Sequence, residues 1–264
     1  MLRSNAVSHR VVVTENPEGL RTLRFEEGDA RQSVVWPGEP LRLEVPYTRV
    51  SMVGLAFVPR PERILAVGLG GGAIPMFLRA VLPGVPIDVV ELEPDVVEAA
   101  KLYCGVEEDD TLRIHVADGR EFIEAPGPTY SLVFLDAYGD SSIPAHLATR
   151  EFFGAVRARL TPDGAVVGNI WESVSNPLFH SMLRTWQVSF RQLHRFDVED
   201  TTNRILVGLA RADTCSRASL MQSAREVQRE RNLPFELWPL IARGYQAVPR
   251  LLKHGHVLTD AESR

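Results

Sequence analysis

The sequence predicts an α/β fold, a doubly wound and mostly parallel sheet preceded by a small N-terminal antiparallel β-sheet. Three observations carry this reading. From Arg63 onward, short β-branched runs alternate with helical patterns, as in a parallel sheet with crossover helices. Before Arg63, short alternating runs are separated by turn residues, as in a meander of antiparallel strands. Where the two patterns meet, the first fully apolar run ends in a glycine cluster that opens a helix.

Taken in order, His9–Thr14, Leu20–Phe25 and Gln32–Trp36 read as strands, with turns at Asn16-Pro17-Glu18-Gly19 and Glu27-Gly28-Asp29. Pro37-Gly38-Glu39-Pro40 ends the third, and Leu41–Val45 reads as a fourth. Tyr47–Phe57 reads as a helix stopped by Pro59 and Pro61. The parallel strands are expected at Ile64–Val67, Ile87–Leu92, Leu112–Val116, Ser131–Leu135 and Ala165–Ile170. Helices are expected at Ala73–Val81, at Pro94–Tyr103 where proline suits a first helical position, and at Glu151–Leu160 and Leu178–Phe190. Pro162-Asp163-Gly164 reads as a turn, and Gln192–Val198 with Arg204–Leu209 as a closing antiparallel hairpin. From Ser216 the chain reads as helical with interruptions at Pro234 and Pro239, and from His254 as a tail. The expected organisation is a small β-sheet domain with its linking helix over 1–58, a nucleoside-binding domain over 59–250, and a tail over 251–264.

Composition narrows the function classes. Hydrophobic residues make up 45% of the 264 residues and charged residues 24%, which suits a globular domain with its own core. The formal charge of −5 argues against a nucleic-acid partner, which selects for a basic excess. No apolar run approaches the roughly 18 residues of a membrane span, and Met1–Arg10 lacks a signal-peptide core. Cys104 and Cys215 are far apart and fit neither a disulfide framework nor a metal site, so a reducing, cytoplasmic setting is expected, with no metal.

The chemistry is written at the strand ends. In Gly68-Leu69-Gly70-Gly71-Gly72, glycines let the backbone approach a ligand at a helix N-terminus, whose N–H groups are unpaired. The next strand ends at Glu91-Leu92-Glu93, about twenty residues on, where a carboxylate can accept both ribose hydroxyls. The third ends at Asp118-Gly119 and the fourth at Asp136. Open α/β sheets bind ligands at that carboxyl edge, so a series of acidic strand ends marks a nucleoside site.

This ordered series resembles the spermidine synthase family of class I S-adenosylmethionine-dependent transferases, whose nucleoside domain is Rossmann-like. The resemblance covers roughly residues 9 to 210. It begins at Val13-Thr14-Glu15-Asn16 with Gly19-Leu20-Arg21, continues through Gln32-Ser33, and extends over Val90-Glu91-Leu92-Glu93-Pro94 and Asp118-Gly119-Arg120 to Asp136. It implies that Glu91 holds the donor's ribose, that Asp118 and Gly119 meet the adenine edge, and that Gln32 reaches the donor from the small sheet. It also implies that Asp136 is the base or amine anchor, with Tyr47 lining the acceptor side and Asp140 close to the family's second acidic residue at a spacing that differs by one; Tyr138 is a separate candidate, to line the acceptor pocket or to cover the sheet edge. A homodimer is a further implication, because the family often dimerises.

Two departures bear on the group transferred. Aminopropyltransferases carry an Asp in the glycine loop that holds the terminal ammonium of decarboxylated S-adenosylmethionine, and here that position is Gly71. Their Tyr-His-Glu becomes Tyr47-Thr48-Arg49, and an inward Arg49 would repel a polyamine. Gly-Leu-Gly-Gly-Gly-Ala-Ile-Pro, from Gly68 to Pro75, is similar instead to a eukaryotic elongation-factor N-terminal methyltransferase domain. The expected function is alkyl transfer to a small-molecule or protein amine, favoured as methyl transfer from S-adenosylmethionine. The alternatives are aminopropyl transfer from its decarboxylated form, as in spermidine synthesis, and a non-catalytic nucleoside-binding protein. His146 as a general base, and Asn169, Trp171 and Glu172 facing the acceptor, are further candidates.

Overall fold

Alternating apolar and basic residues build the first sheet. In the computed structural model, which describes residues 11–25, 31–137, 143–172, 174–212, 215–248 and 254–261, strands β1 (Val11–Glu15), β2 (Arg21–Phe25) and β3 (Arg31–Val35) pair antiparallel in that order. The side chains of Arg31 and Gln32 lie outside the described residues. Leu23 and Val35 turn inward and pack on Ala99 and Cys104, while the Arg21 guanidinium donates to the Tyr103 carbonyl. The expected fourth strand, Leu41–Val45, does not form. That segment folds back on Trp36 instead: Arg42 stacks 3.6 Å from the centroid of its ring, and its indole N–H donates to Glu44 at 2.9 Å.

The single helix expected over Tyr47–Phe57 is two short ones, α1 (Pro46–Ser51) and α2 (Gly54–Phe57). Met52 and Val53 between them donate to Arg49 and Val50, a tightened three-residue turn. Gly54 explains the break, because a Cβ there would lie 2.6 Å from Val167 Cγ2. The chain bends so that α2 can lie directly on the sheet.

Beyond Arg63 come β4 (Ile64–Val67), α3 (Ala73–Val81), β5 (Ile87–Glu91), α4 (Pro94–Tyr103), β6 (Leu112–Val116), α5 (Gly119–Glu124) and β7 (Tyr130–Leu135), the expected alternation with α5 as a helix the sequence reading did not assign. A 3-10 turn at Ala145–Leu147 precedes α6 (Arg150–Ala158) and β8 (Leu160–Trp171). Then come α7 (Phe179–Ser189), β9 (Gln192–Asp197), β10 (Asn203–Leu209), α8 (Arg217–Arg231), α9 (Leu237–Gly244) and β11 (Tyr245–Gln246). Leu160 begins a strand rather than ending a helix, and the expected Pro162-Asp163-Gly164 turn is a bulge inside β8. Tyr130 pairs with Leu160, and Leu132 already with Ala165.

The large sheet has the order β11-β9-β10-β8-β7-β4-β5-β6. Strands β4 to β8 are mutually parallel, and β9, β10 and β11 join antiparallel, with Ile205 of β10 opposite Phe196 of β9. Side chains of β4 alternate between two cores, Ile64 and Ala66 towards α2, α3, α8 and α9, Leu65 and Val67 towards α5, α6 and α7. Residues 254–261 are docked: Leu258 bonds to Thr185 and Arg150, and Asp260 forms a bidentate pair with Arg120 at 2.6 and 2.7 Å. No helix among the described residues is long and apolar enough to cross a membrane.

Candidate active site

The strand order reverses at β4, with β5 on one side and β7 on the other, so connections leave in opposite directions and open a crevice at the carboxyl ends. Gly68 makes that junction close. It has φ +101°, and a Cβ there would lie 2.4 Å from the Asp136 carbonyl oxygen. Gly68→Ala is therefore expected to cost roughly 2–4 kcal/mol of stability, from backbone strain plus backbone overlap, read as a fall in the urea midpoint. Gly119 is similarly confined, since its Cβ would lie 2.5 Å from Val67 Cγ1.

The crevice is lined by Gly68, Leu69 and Gly70, by Glu91 and Glu93 at the end of β5, and by Asp118 and Gly119 after β6. Asp136 and Ala137 follow β7, Tyr47 and Thr48 come from α1, and Leu23, Phe25 and Ser33 come from the small sheet. Gly71 and Gly72 back the loop without lining the crevice: Gly71 faces Ser33 and Val35, and Gly72 caps α3 at φ +82° against Val106. Tyr138 and Asp140 lie outside the described residues, as does the Gln32 side chain.

Each acidic strand end is held differently. Glu91 accepts the Leu69 N–H at 2.9 Å and the Glu93 N–H at 3.1 Å, which ties β5 to the glycine loop. Burial pushes its carboxyl above the usual range, opposed by those backbone donors. Asp118 caps α5, its Oδ1 accepting from the N–H groups of Arg120 and Glu121 at 2.8 and 3.0 Å. Its Oδ2 lies 2.8 Å from His146 Nε2, and chiefly this bond lowers its pKa.

Asp136 has another setting. Tyr47 donates its hydroxyl to Oδ2 at 2.8 Å, and Asn169 donates its amide to Oδ1 at 3.1 Å. Asn169, 5% exposed at the end of β8, is itself fixed by the Asn203 amide at 2.9 Å. Burial raises the Asp136 carboxyl to about 6, with the two side-chain donors opposing it. A carboxylate so poised is ionised at neutral pH yet ready to accept a proton.

The structure brings together Tyr47, Gly68, Gly70, Glu91, Asp118, Gly119, Asp136 and His146 in one crevice. His146 pairs with Asp118 rather than Asp136, and Asn169 meets Asp136 directly. Trp171 and Glu172 do not line the crevice, and Glu172 is paired with Arg204. Arg49 does not point inward as the repulsion argument requires. It is exposed and lines a separate outer groove with Pro46, Glu199 and Arg243. Thr48 of α1 went unassigned, as did the small-sheet residues Leu23, Phe25 and Ser33, which only the docking of that sheet brings to the crevice. Among the described residues, no group of three His, Cys, Asp or Glu side chains is arranged for a metal ion.

No family model matches the chain. It is 33% identical over 206 residues to a polyamine aminopropyltransferase of Vibrio vulnificus, covering 75% of this chain and 68% of that protein. It is 28% identical over 210 residues to the eEF1A lysine and N-terminal methyltransferase of Bos taurus, and there the match spans 72% of this chain but only 30% of the relative's length. The crystal structure of human methyltransferase-like protein 13 in complex with SAH superposes with a TM-score of 0.66 at 25% identity, covering 72% of this chain and 94% of that one. With the sheet order and crevice above, these likenesses identify an enzyme: the chain is a transferase and belongs to the spermidine synthase-like family of S-adenosylmethionine-dependent transferases.

Proposed function

We propose that the chain transfers a methyl group from S-adenosylmethionine to an amine. Gly71 carries this reading. A terminal ammonium, as on the decarboxylated donor, needs a carboxylate partner in the glycine loop, and at Gly71 there is no side chain to supply one. The space beside it is taken by Ser33 Oγ and Val35 Cγ1, which would stand 3.0 and 3.2 Å from an added Cβ.

The crevice residues fit such a donor. Gly68 and Gly70 hold positive φ and keep the loop backbone free of side chains where the nucleoside's sugar would lie. Glu91 would accept the ribose hydroxyls, Asp118 and Gly119 would meet the adenine edge, with Gln32 reaching over from the small sheet. The donor's sulfonium supplies an activated carbon, so the protein's task is to position and desolvate the reacting groups. Asp136 would orient the neutral amine and take its proton, while Tyr47 and Asn169 hold both carboxylate oxygens in place. Tyr138 and Asp140 are proposed for the acceptor side, Asp140 against a second cationic group. The acceptor is an amine on a small molecule or on a protein.

A second reading, aminopropyl transfer from decarboxylated S-adenosylmethionine, is favoured by the likeness to the Vibrio aminopropyltransferase. The outward Arg49 also removes one objection to a polyamine acceptor. Supplying both donors with putrescine and a lysine-containing peptide, and weighing the products by mass spectrometry, separates the readings. A methyl increment is expected, and an aminopropyl increment would replace the first reading by the second.

Tyr47 provides a test of Asp136 as base. Its hydrogen bond lowers the Asp136 pKa, so Tyr47→Phe raises it further above about 6. The ionised form is the active one, so activity is lost as pH falls through this pKa. The acid limb of log kcat against pH is therefore expected to move to higher pH in Tyr47→Phe, with the high-pH plateau kept.

A further inference from the structure

Three of the polar side chains that line the crevice are already held. Tyr47 bonds to Asp136, Glu91 bonds to the glycine loop, and Asp118 bonds to its own helix and to His146. Thr48 spends its hydroxyl on the Val45 carbonyl at 2.6 Å. Ser33 differs: it lines the same crevice, yet among the described residues its hydroxyl has no hydrogen-bond partner. It lies on β3, and its partner across the small sheet is Leu23, another crevice residue.

The placement of that hydroxyl is specific. Ser33 Oγ would stand 3.0 Å, and Ser33 Cβ 3.3 Å, from a Cβ built on Gly71. Ser33 thus occupies the space that a side chain at position 71 would enter first. Glu91 and Asp118 sit at the ends of β5 and β6, whereas Ser33 sits over the loop that follows β4, against Gly71. A donor whose ribose and base lie over β5 and β6 extends its amino-acid end towards that loop. A neutral hydroxyl there can donate to a carboxylate, but it cannot balance the charge of a lone ammonium.

Taking the carboxylated donor proposed above as the ligand, we propose that Ser33 is a donor-specificity residue: its hydroxyl donates to the carboxylate of S-adenosylmethionine and fills the place of the ammonium-binding side chain missing at Gly71. The small sheet is then a reading element for the donor's amino-acid end and not only a cover for the crevice. Position 33 and position 71 are coupled by this geometry, because an Asp at 71 needs Ser33 to move.

Calorimetry with two ligands tests this. S-adenosylhomocysteine keeps the amino-acid end, and methylthioadenosine lacks it. Ser33→Ala is expected to weaken S-adenosylhomocysteine about tenfold, the scale of a hydrogen bond to a charged group, and to leave methylthioadenosine within about twofold. The near-isosteric Ser33→Cys, a poor donor, should behave as Ser33→Ala does and guards against a packing artefact. Equal weakening of both ligands, or no weakening of either, overturns the role of Ser33. If wild-type protein prefers decarboxylated S-adenosylmethionine while Ser33→Ala still weakens S-adenosylhomocysteine alone, the methyl-transfer reading falls and the Ser33 contact stands. If wild-type protein prefers the carboxylated donor while Ser33→Ala is silent, the methyl-transfer reading stands and the Ser33 contact falls.

Discussion

Asp136→Asn is expected to lower kcat by roughly two to four orders of magnitude while leaving donor affinity within about threefold. The substitution keeps the shape of the side chain and removes the ability to take a proton, and it leaves one of the two donors, Tyr47 or Asn169, without its carboxylate acceptor. In the wild type, log kcat should fall with unit slope as pH drops through about 6, where burial sets the carboxyl, and should be flat above it. The variant should lose that acid limb together with its activity. A variant that keeps both the rate and the limb assigns the base elsewhere. His146 would not inherit the role, since its ring is engaged with Asp118.

Glu91→Ala is expected to raise the dissociation constant of S-adenosylhomocysteine by about a hundredfold or more. Two charge-assisted hydrogen bonds to ribose hydroxyls would be lost, each worth about 1.5–3 kcal/mol. The Leu69 and Glu93 N–H groups would lose their acceptor as well, loosening the glycine loop beside the ligand. Glu91→Gln keeps one acceptor oxygen and should fall between the wild type and Glu91→Ala. Calorimetry reads both variants, and an affinity within about threefold of wild type for Glu91→Ala removes Glu91 from the donor site.

The parts of this site that are local in sequence were legible there. A strand that ends in glycines and opens a helix, and carboxylates at the ends of consecutive strands, follow from the parallel sheet alone. Gly68, Glu91, Asp118 and Asp136 therefore meet where the spacing puts them. The contacts that shape their chemistry join residues far apart, and no periodicity encodes them. Asn169 reaches Asp136 from β8, and Asn203 steadies it from the antiparallel hairpin. His146 turns back to Asp118 because the 3-10 turn lies over α5. Arg49 would repel a polyamine only from an inward position, yet on a six-residue helix whose Tyr47 and Thr48 face the crevice it falls on the opposite side.

Similar limits explain the fold-level differences. Leu41–Val45 has strand-like alternation, but its polar residues find Trp36 rather than a neighbouring strand. The bulge in β8 uses the same Pro162-Asp163-Gly164 residues that mark a turn, because one turn-like excursion is compatible with a continuing strand. The docking of the chain's last described residues through Asp260 and Arg120 depends on an ion pair 140 positions apart.

The crevice is expected to take the carboxylated donor. Calorimetric titration of the wild-type protein with S-adenosylmethionine and, in parallel, with decarboxylated S-adenosylmethionine distinguishes the two donors. S-adenosylmethionine is expected to bind at least about tenfold more tightly, because Gly71 offers no carboxylate to a terminal ammonium. Tighter binding of the decarboxylated donor would contradict it and make aminopropyl transfer the function of this chain.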